Sequence, residues 1–404
     1  MIFRFQSYFN TAISLIKLYD GSVPLVHFLK QYFAQHKKHG SKDRKFITHF
    51  CYCYYRLGHA LKELPIEEKL KTALFLCNNE AGDLYILFHE DWLNNWKDNL
   101  HGRIDFIQNR YADFLVENIF PWKVELSKTI DAKAFAASHL IQPNLFLRIR
   151  PNVEKVVLHK LQEANISFQQ VSSSCLALPN TSKIDSIIDV DNEAVVQDYS
   201  SQRIEEFLQL IKYHSSLKTS VWDCCAASGG KSILVKDVLN NIELTVSDIR
   251  SSILQNLRKR FEKAGIKKYH SFVADIATSI SHLSLSAFNM ILCDVPCSGS
   301  GTWGRTPEQL YFFNEDTIQE YAMLQKKIIS NTIPYLNKNG FFLYITCSVF
   351  KKENEENVAY IQQHFNLELI EQKLLIGYDK KADSMFMALF KNRSTIDSSV
   401  PETN

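Results

Sequence analysis

Paired C-x-x-C units are missing from the 404-residue sequence, although it holds nine cysteines. Without such pairs a structural zinc site is not expected, and free thiols in this number point to a reducing compartment. Long apolar runs are missing too. No stretch approaches the ~18 consecutive apolar residues of a membrane span, and polar residues interrupt any signal-like run behind Arg4. No membrane association is expected, and the cytoplasm is the expected location. An excess of one charge is also absent: 46 Lys and Arg stand against 44 Asp and Glu, a net charge of +2. That excludes a uniformly basic coat for nucleic acid. Two local basic runs remain, His36 to Lys45 and Arg258 to Lys268, and solvated faces account for either one alone. Repeats and low-complexity blocks are lacking as well. What is present is an ordinary globular composition, 46% hydrophobic and 22% charged. The chain is too long for one core, so two or three domains are expected.

Residues 1–140 read as helical. Apolar residues recur at helical spacing in Ile13 to Lys30, Lys45 to Leu61 and Glu67 to Leu76. Residues 141–204 read as a small α/β module, with an extended segment Pro143 to Pro151 and a helix Val153 to Ala164. Residues 205–392 alternate short β-rich runs with helices. The candidate strands are Ser220 to Cys224, Glu243 to Ser247, His270 to Val273, Asn289 to Cys293 and Phe341 to Ile345. Such alternation predicts a parallel sheet with helices on both faces. Residues 393–404 form a polar tail. In sheets of this kind ligands bind beyond the carboxyl ends of the strands, so chemistry is expected there.

The first of these strands runs into Asp223-Cys224-Cys225-Ala226-Ala227-Ser228-Gly229-Gly230-Lys231. Small residues and two glycines let backbone approach a ligand, and a following helix turns its free N–H groups toward it. The spacing is not that of a phosphate-binding P-loop. Asp248, Asp275 and Asp294 then close the next three strands. One such Asp reads as a helix cap, but three on one sheet edge match adenosine hydroxyls and a nearby sulfonium cation. S-adenosylmethionine is the cofactor that combines the two.

Two cysteines stand past strand ends among turn-forming residues: Cys297 in Asp294-Val295-Pro296-Cys297-Ser298 and Cys347 in Thr346-Cys347-Ser348. Cys51, Cys53, Cys77, Cys175, Cys224 and Cys293 read as small core residues. A thiol beside a methyl donor has a clear use. Its addition to carbon 6 of cytosine makes carbon 5 nucleophilic, and expulsion of the thiol later restores the ring. Asp294 lies where it could stabilise the intermediate at ring nitrogen 3. Spacing alone leaves open which thiol attacks. An amino-group methyltransferase would want an Asn/Asp-Pro-Pro-aromatic run, which Asp294 to Cys297 is not.

These motifs resemble the RsmB-type (Nop/Sun) RNA cytosine-5 methyltransferases. The resemblance lies in Asp223 to Lys231, Asp294 to Glu308 and Tyr344 to Val358, with Val196 to Gln202, Leu147 to Asn152 and Gly377 to Lys391 in support. It implies a class I methyltransferase sheet, Rossmann-like, preceded by a small RNA-binding α/β module and an N-terminal helical domain. It implies Cys347 as nucleophile and Cys297 in product release. It also implies that Cys225, Ala226, Ala227, Ser228, Gly229, Gly230 and Lys231, with Asp248, Asp275 and Asp294, hold S-adenosylmethionine. RNA, in particular rRNA, is the implied partner, with no DNA and a monomeric chain. Ser41 to His59 loosely resembles a NusB-like RNA-binding domain, where Tyr52, Tyr54 and Tyr55 are core residues or base-stacking platforms. Ser228 departs from the family, which has proline there. A non-catalytic RNA-binding or ribosome-assembly protein on the same scaffold is the alternative.

Overall fold

Short alternating runs behind residue 143 become strands, and their ends carry the polar residues noted above. The computed structural model describes residues 2–214 and 219–393. The first sheet is antiparallel, built from β1 (Leu145–Ile149), β2 (Gln169–Gln170), β3 (Cys175–Leu178) and β4 (Ala194–Val196) in the order β2-β3-β1-β4. The helix Glu154–Glu163 turns Val157 and Leu161 onto Leu147, Leu176 and Leu178, all buried. Arg148 and Arg150 do not point freely outward. Both bind Asp237 at 2.7 Å, and Arg150 also donates to the Ala264 carbonyl. Two adjacent arginines on one buried carboxylate thereby tie this sheet to the helix Gly230–Leu239.

The second sheet has seven strands: β5 (Thr219–Asp223), β6 (Ile242–Asp248), β7 (His270–Val273), β8 (Phe288–Asp294), β9 (Leu336–Thr346), β10 (Leu367–Leu375) and β11 (Met385–Asn392). Their order is β10-β11-β9-β8-β5-β6-β7. Five strands are parallel, and β11 inserts antiparallel between β9 and β10. The central parallel strands bury apolar residues on both faces because helices cover them. One face buries Val221, Leu244, Leu292 and Leu343. The other buries Trp222, Ile291, Cys293 and Tyr344. The mixed α/β architecture with a mainly parallel sheet is the one expected from the sequence.

By internal contacts the chain forms two units. One takes residues up to 143 with 300–315 and 378–381; the other takes 144–299, 316–377 and the residues after 381, and so contains both sheets. The first unit is helical. The apolar spacing over Ile13 to Lys30 is divided between two helices, Ile2–Leu18 and Leu25–Gln35. Gly21 at φ +80° and Pro24 break the pattern between them. Pro24 offers no side-chain cap, and the Leu25 N–H is taken instead by the Glu308 carboxylate at 3.2 Å. Trp303 and Leu310 are fully buried in the same unit. Tyr54 and Tyr55 are core residues, while Tyr52 is half-buried. Cys51, Cys53, Cys175, Cys224 and Cys293 are buried and Cys77 is half-buried; all nine cysteines are free. Among the described residues no helix is long and apolar enough to cross a membrane. The polar tail lies, from residue 394, outside the described residues.

Candidate active site

The carboxyl ends of β5, β6 and β8 hold the loop Asp223 to Lys231 in place. Trp222 donates its indole N–H to Ser247 Oγ at 3.0 Å, and Ser247 donates to the Cys224 carbonyl at 2.8 Å. Ala226 donates to the Ser247 carbonyl, and Ala227, at φ +45°, donates to Asp248 Oδ2 at 3.0 Å. Asp248 Oδ1 also accepts from the Arg250 N–H. Gly229 sits at φ +82° at the start of the helix, where an added Cβ would lie 2.7 Å from the Phe261 ring. No other residue fits there. Ser228 does more than loosen the turn. Its hydroxyl and carbonyl both accept from Arg260, at 2.9 and 3.1 Å, and Arg260 also pairs with Asp191 at 2.7 Å.

Asp223 is fully buried and accepts from Ser232 Oγ at 2.5 Å. Its Oδ1 has no hydrogen-bond partner among the described residues, and burial pushes its carboxyl up to about 7. Lys231 pairs with Asp294 Oδ2 at 2.6 Å. Burial opposes the ammonium charge, but Asp294 and then Cys347 outweigh it and raise the lysine above its ordinary value.

β8 and β9 run in parallel register, Cys293 beside Tyr344 and Asp294 beside Ile345. The loops that follow must therefore meet. The Cys347 N–H donates to Cys297 Sγ at 3.3 Å. Hydrogen bonding with the Cys347 side chain, and then burial, push the Cys297 thiol well above its ordinary value. Beneath both loops lies Glu353, with no exposed surface. Its Oε2 accepts from the Ser298 N–H at 2.9 Å and from Gln325 at 2.8 Å; its Oε1 accepts from the Ser348 hydroxyl at 2.5 Å. Burial, opposed by these bonds, raises its pKa.

A cleft of about 580 Å³ opens at this edge. Cys225, Ala227, Asp248, Asp275, Asp294 and Cys297 line it, together with apolar Ile249, Ile276 and Ile328. Asp275 stands exposed, its Oδ1 accepting from the Ala277 N–H. Lys231 reaches the site through Asp294, and Cys347 through Cys297. Ala226, Ser228, Gly229 and Gly230 shape the loop without lining the cleft. Sequence reasoning missed Arg260, which it read within a solvated basic run, and Glu353, which it passed over inside the Tyr344 to Val358 motif. The only early sign of Glu353 was its position six residues past a candidate thiol. Size and lining fit an adenosyl ligand: apolar walls for a base, and carboxylates to accept from sugar hydroxyls.

Residues 210–394 match the model of the 16S rRNA methyltransferase RsmB/F family. Ribosomal RNA small subunit methyltransferase B of Yersinia enterocolitica is 30% identical over 154 residues, 37% of this chain and 35% of that protein. The chain spans less than half the length of the curated relatives it matches. A crystal structure of the protein PH0851 superposes with a TM-score of 0.67 at 18% identity, covering 95% of this chain and 98% of that one. A methyltransferase homologue from Pyrococcus horikoshii gives 0.56 at 20% identity, over 66% of this chain and 92% of its own. These likenesses establish the fold.

Proposed function

We propose that this chain, whose residues 210–394 match the RsmB/F rRNA methyltransferase model, is an S-adenosylmethionine-dependent RNA (cytosine-C5) methyltransferase acting on rRNA. One observation carries the cytosine-C5 reading: two thiols on neighbouring strand ends, with the Cys347 N–H 3.3 Å from Cys297 Sγ. A methyltransferase acting on an amine or hydroxyl has no use for them.

Bound in the cleft, S-adenosylmethionine supplies a methyl group activated by its positive sulfur. The chain's own residues do the rest. The Cys347 thiolate adds to carbon 6 of a cytosine that has left its stack. The ring electrons shift so that carbon 5 becomes the nucleophile. Asp294, held by Lys231, keeps a proton or hydrogen bond at ring nitrogen 3. After carbon 5 is methylated its proton passes to solvent water, the carbon 5–carbon 6 double bond re-forms, and the carbon–sulfur bond breaks with the electron pair returning to Cys347. Cys297 assists this release. Asp248 and Asp275 would accept from ribose hydroxyls, and the loop Cys225 to Lys231 would help hold the ligand. RNA contact falls to the module 141–204 and to the helical residues 1–140.

Bisulfite sequencing of total RNA with and without the gene tests this directly. One rRNA cytosine should lose protection in its absence, and an unchanged pattern would overturn the cytosine-C5 reading.

A further inference from the structure

The proposed chemistry gives Glu353 no direct part, yet its carboxylate holds both thiol loops. It takes the Ser298 N–H, next to Cys297, and the Ser348 hydroxyl, next to Cys347. The two serine hydroxyls are themselves joined at 3.1 Å. Gln325, on the helix Asp316–Thr332, clamps the same carboxylate and also donates to the Pro296 carbonyl at 3.0 Å. Tyr344 donates to the Glu353 carbonyl at 2.6 Å, and Asn357 donates to both Gln325 and Tyr344. A carboxylate without exposed surface is costly unless such donors surround it. An apolar side chain would fill the space at lower cost but could not bind two loops at once.

We propose that Glu353 is a positioning residue that sets the spacing of Cys297 and Cys347, so that its loss impairs release of the methylated base more than methyl transfer. Release needs both thiols in register, whereas attack needs Cys347 alone. This rests on the two-thiol reading above.

The test uses the full chain, tritiated S-adenosylmethionine and an unmodified small-subunit rRNA transcript. Wild type, E353A, E353Q and S348A are compared for single-turnover methyl transfer, steady-state turnover and denaturant-resistant protein–RNA adduct, after thermal unfolding confirms each fold. For E353A, turnover should fall by about 10- to 100-fold, as misplacement of a catalytic group does. Single-turnover transfer should fall by less than about threefold, and adduct should accumulate. E353Q should recover much of the loss. Its carbonyl still takes the Ser298 and Gln325 donors, and the Ser348 hydroxyl can turn to accept. S348A should show the same partition at smaller amplitude, and it carries the test if E353A does not fold. Wild-type release by the folded variants would overturn the proposal, as would transfer and turnover falling together without adduct. An inactive wild type would instead overturn the functional reading itself, and the positioning role with it.

Discussion

A thiol attacks only as the thiolate, so the surroundings of the two cysteines bear on their roles. Cys347 is among the groups that keep Lys231 charged, while its own side chain and burial hold Cys297 in the neutral form. That suits a proton-bearing Cys297 in product release. C347A should abolish tritium transfer from the cofactor. C297A should leave a covalent adduct, seen as a denaturant-resistant gel shift; the reverse pattern would exchange the roles. Asp223 gives a second residue-scale expectation. Its carboxyl rises from 3.8 to about 7 through burial. The folded chain therefore holds that proton more tightly than the unfolded chain. The stability this contributes is full below 3.8 and is lost as pH climbs through about 7. D223N cannot ionise, so its advantage over wild type should grow between about pH 4 and 7 toward at most ~4 kcal/mol. Denaturant titrations at pH 5 and 8 measure it, and equal differences at both would refute it.

The strands β5 to β9 were legible, unlike β10 and β11, because a parallel sheet writes itself as short apolar runs ending in polar residues. The readings of β5 to β8 fall within one residue of the observed strands; β9 begins earlier, at Leu336. Carboxylates on successive strand ends marked the cleft for the same reason. Contacts across long sequence separations were not legible. Arg260 sits in a run that reads as solvated, yet it joins Ser228 to Asp191. Glu353 sits among charged residues, Lys351 to Glu356, yet it is fully buried. Nothing local distinguishes such groups from surface charge. The loop elements make two predictions. G229A forces an L residue into φ +82° against Phe261 and should destabilise by about 1–3 kcal/mol. R260A leaves Asp191 unpaired with 8% of its side chain exposed and should lose about 3 kcal/mol. Its affinity for S-adenosylmethionine should also fall, which calorimetry reads. Unchanged affinity and stability would mean that the arginine does not hold the loop.

At the scale of the whole chain, residues 300–315 leave the sheet-bearing unit directly after the Cys297 loop and join the helical one. A chain lacking residues up to 143 would uncover Trp303 and Leu310, both fully buried, each worth roughly 1.5–3 kcal/mol in lost burial. Such a fragment should aggregate in size-exclusion chromatography. A monomeric fragment with an unaltered Tm would show that the segment can repack.

The same detour governs the order in which the protein can fold during its synthesis. Residues up to 143 leave the ribosome first, but the core they belong to lacks Trp303 and Leu310 until residue 315 has been added. At ~5–20 residues per second the wait is on the order of 10–30 s. Throughout it an incomplete apolar surface stands open to the cell. A nascent chain of this design is exposed to aggregation early, because part of its helical unit is supplied from its second half.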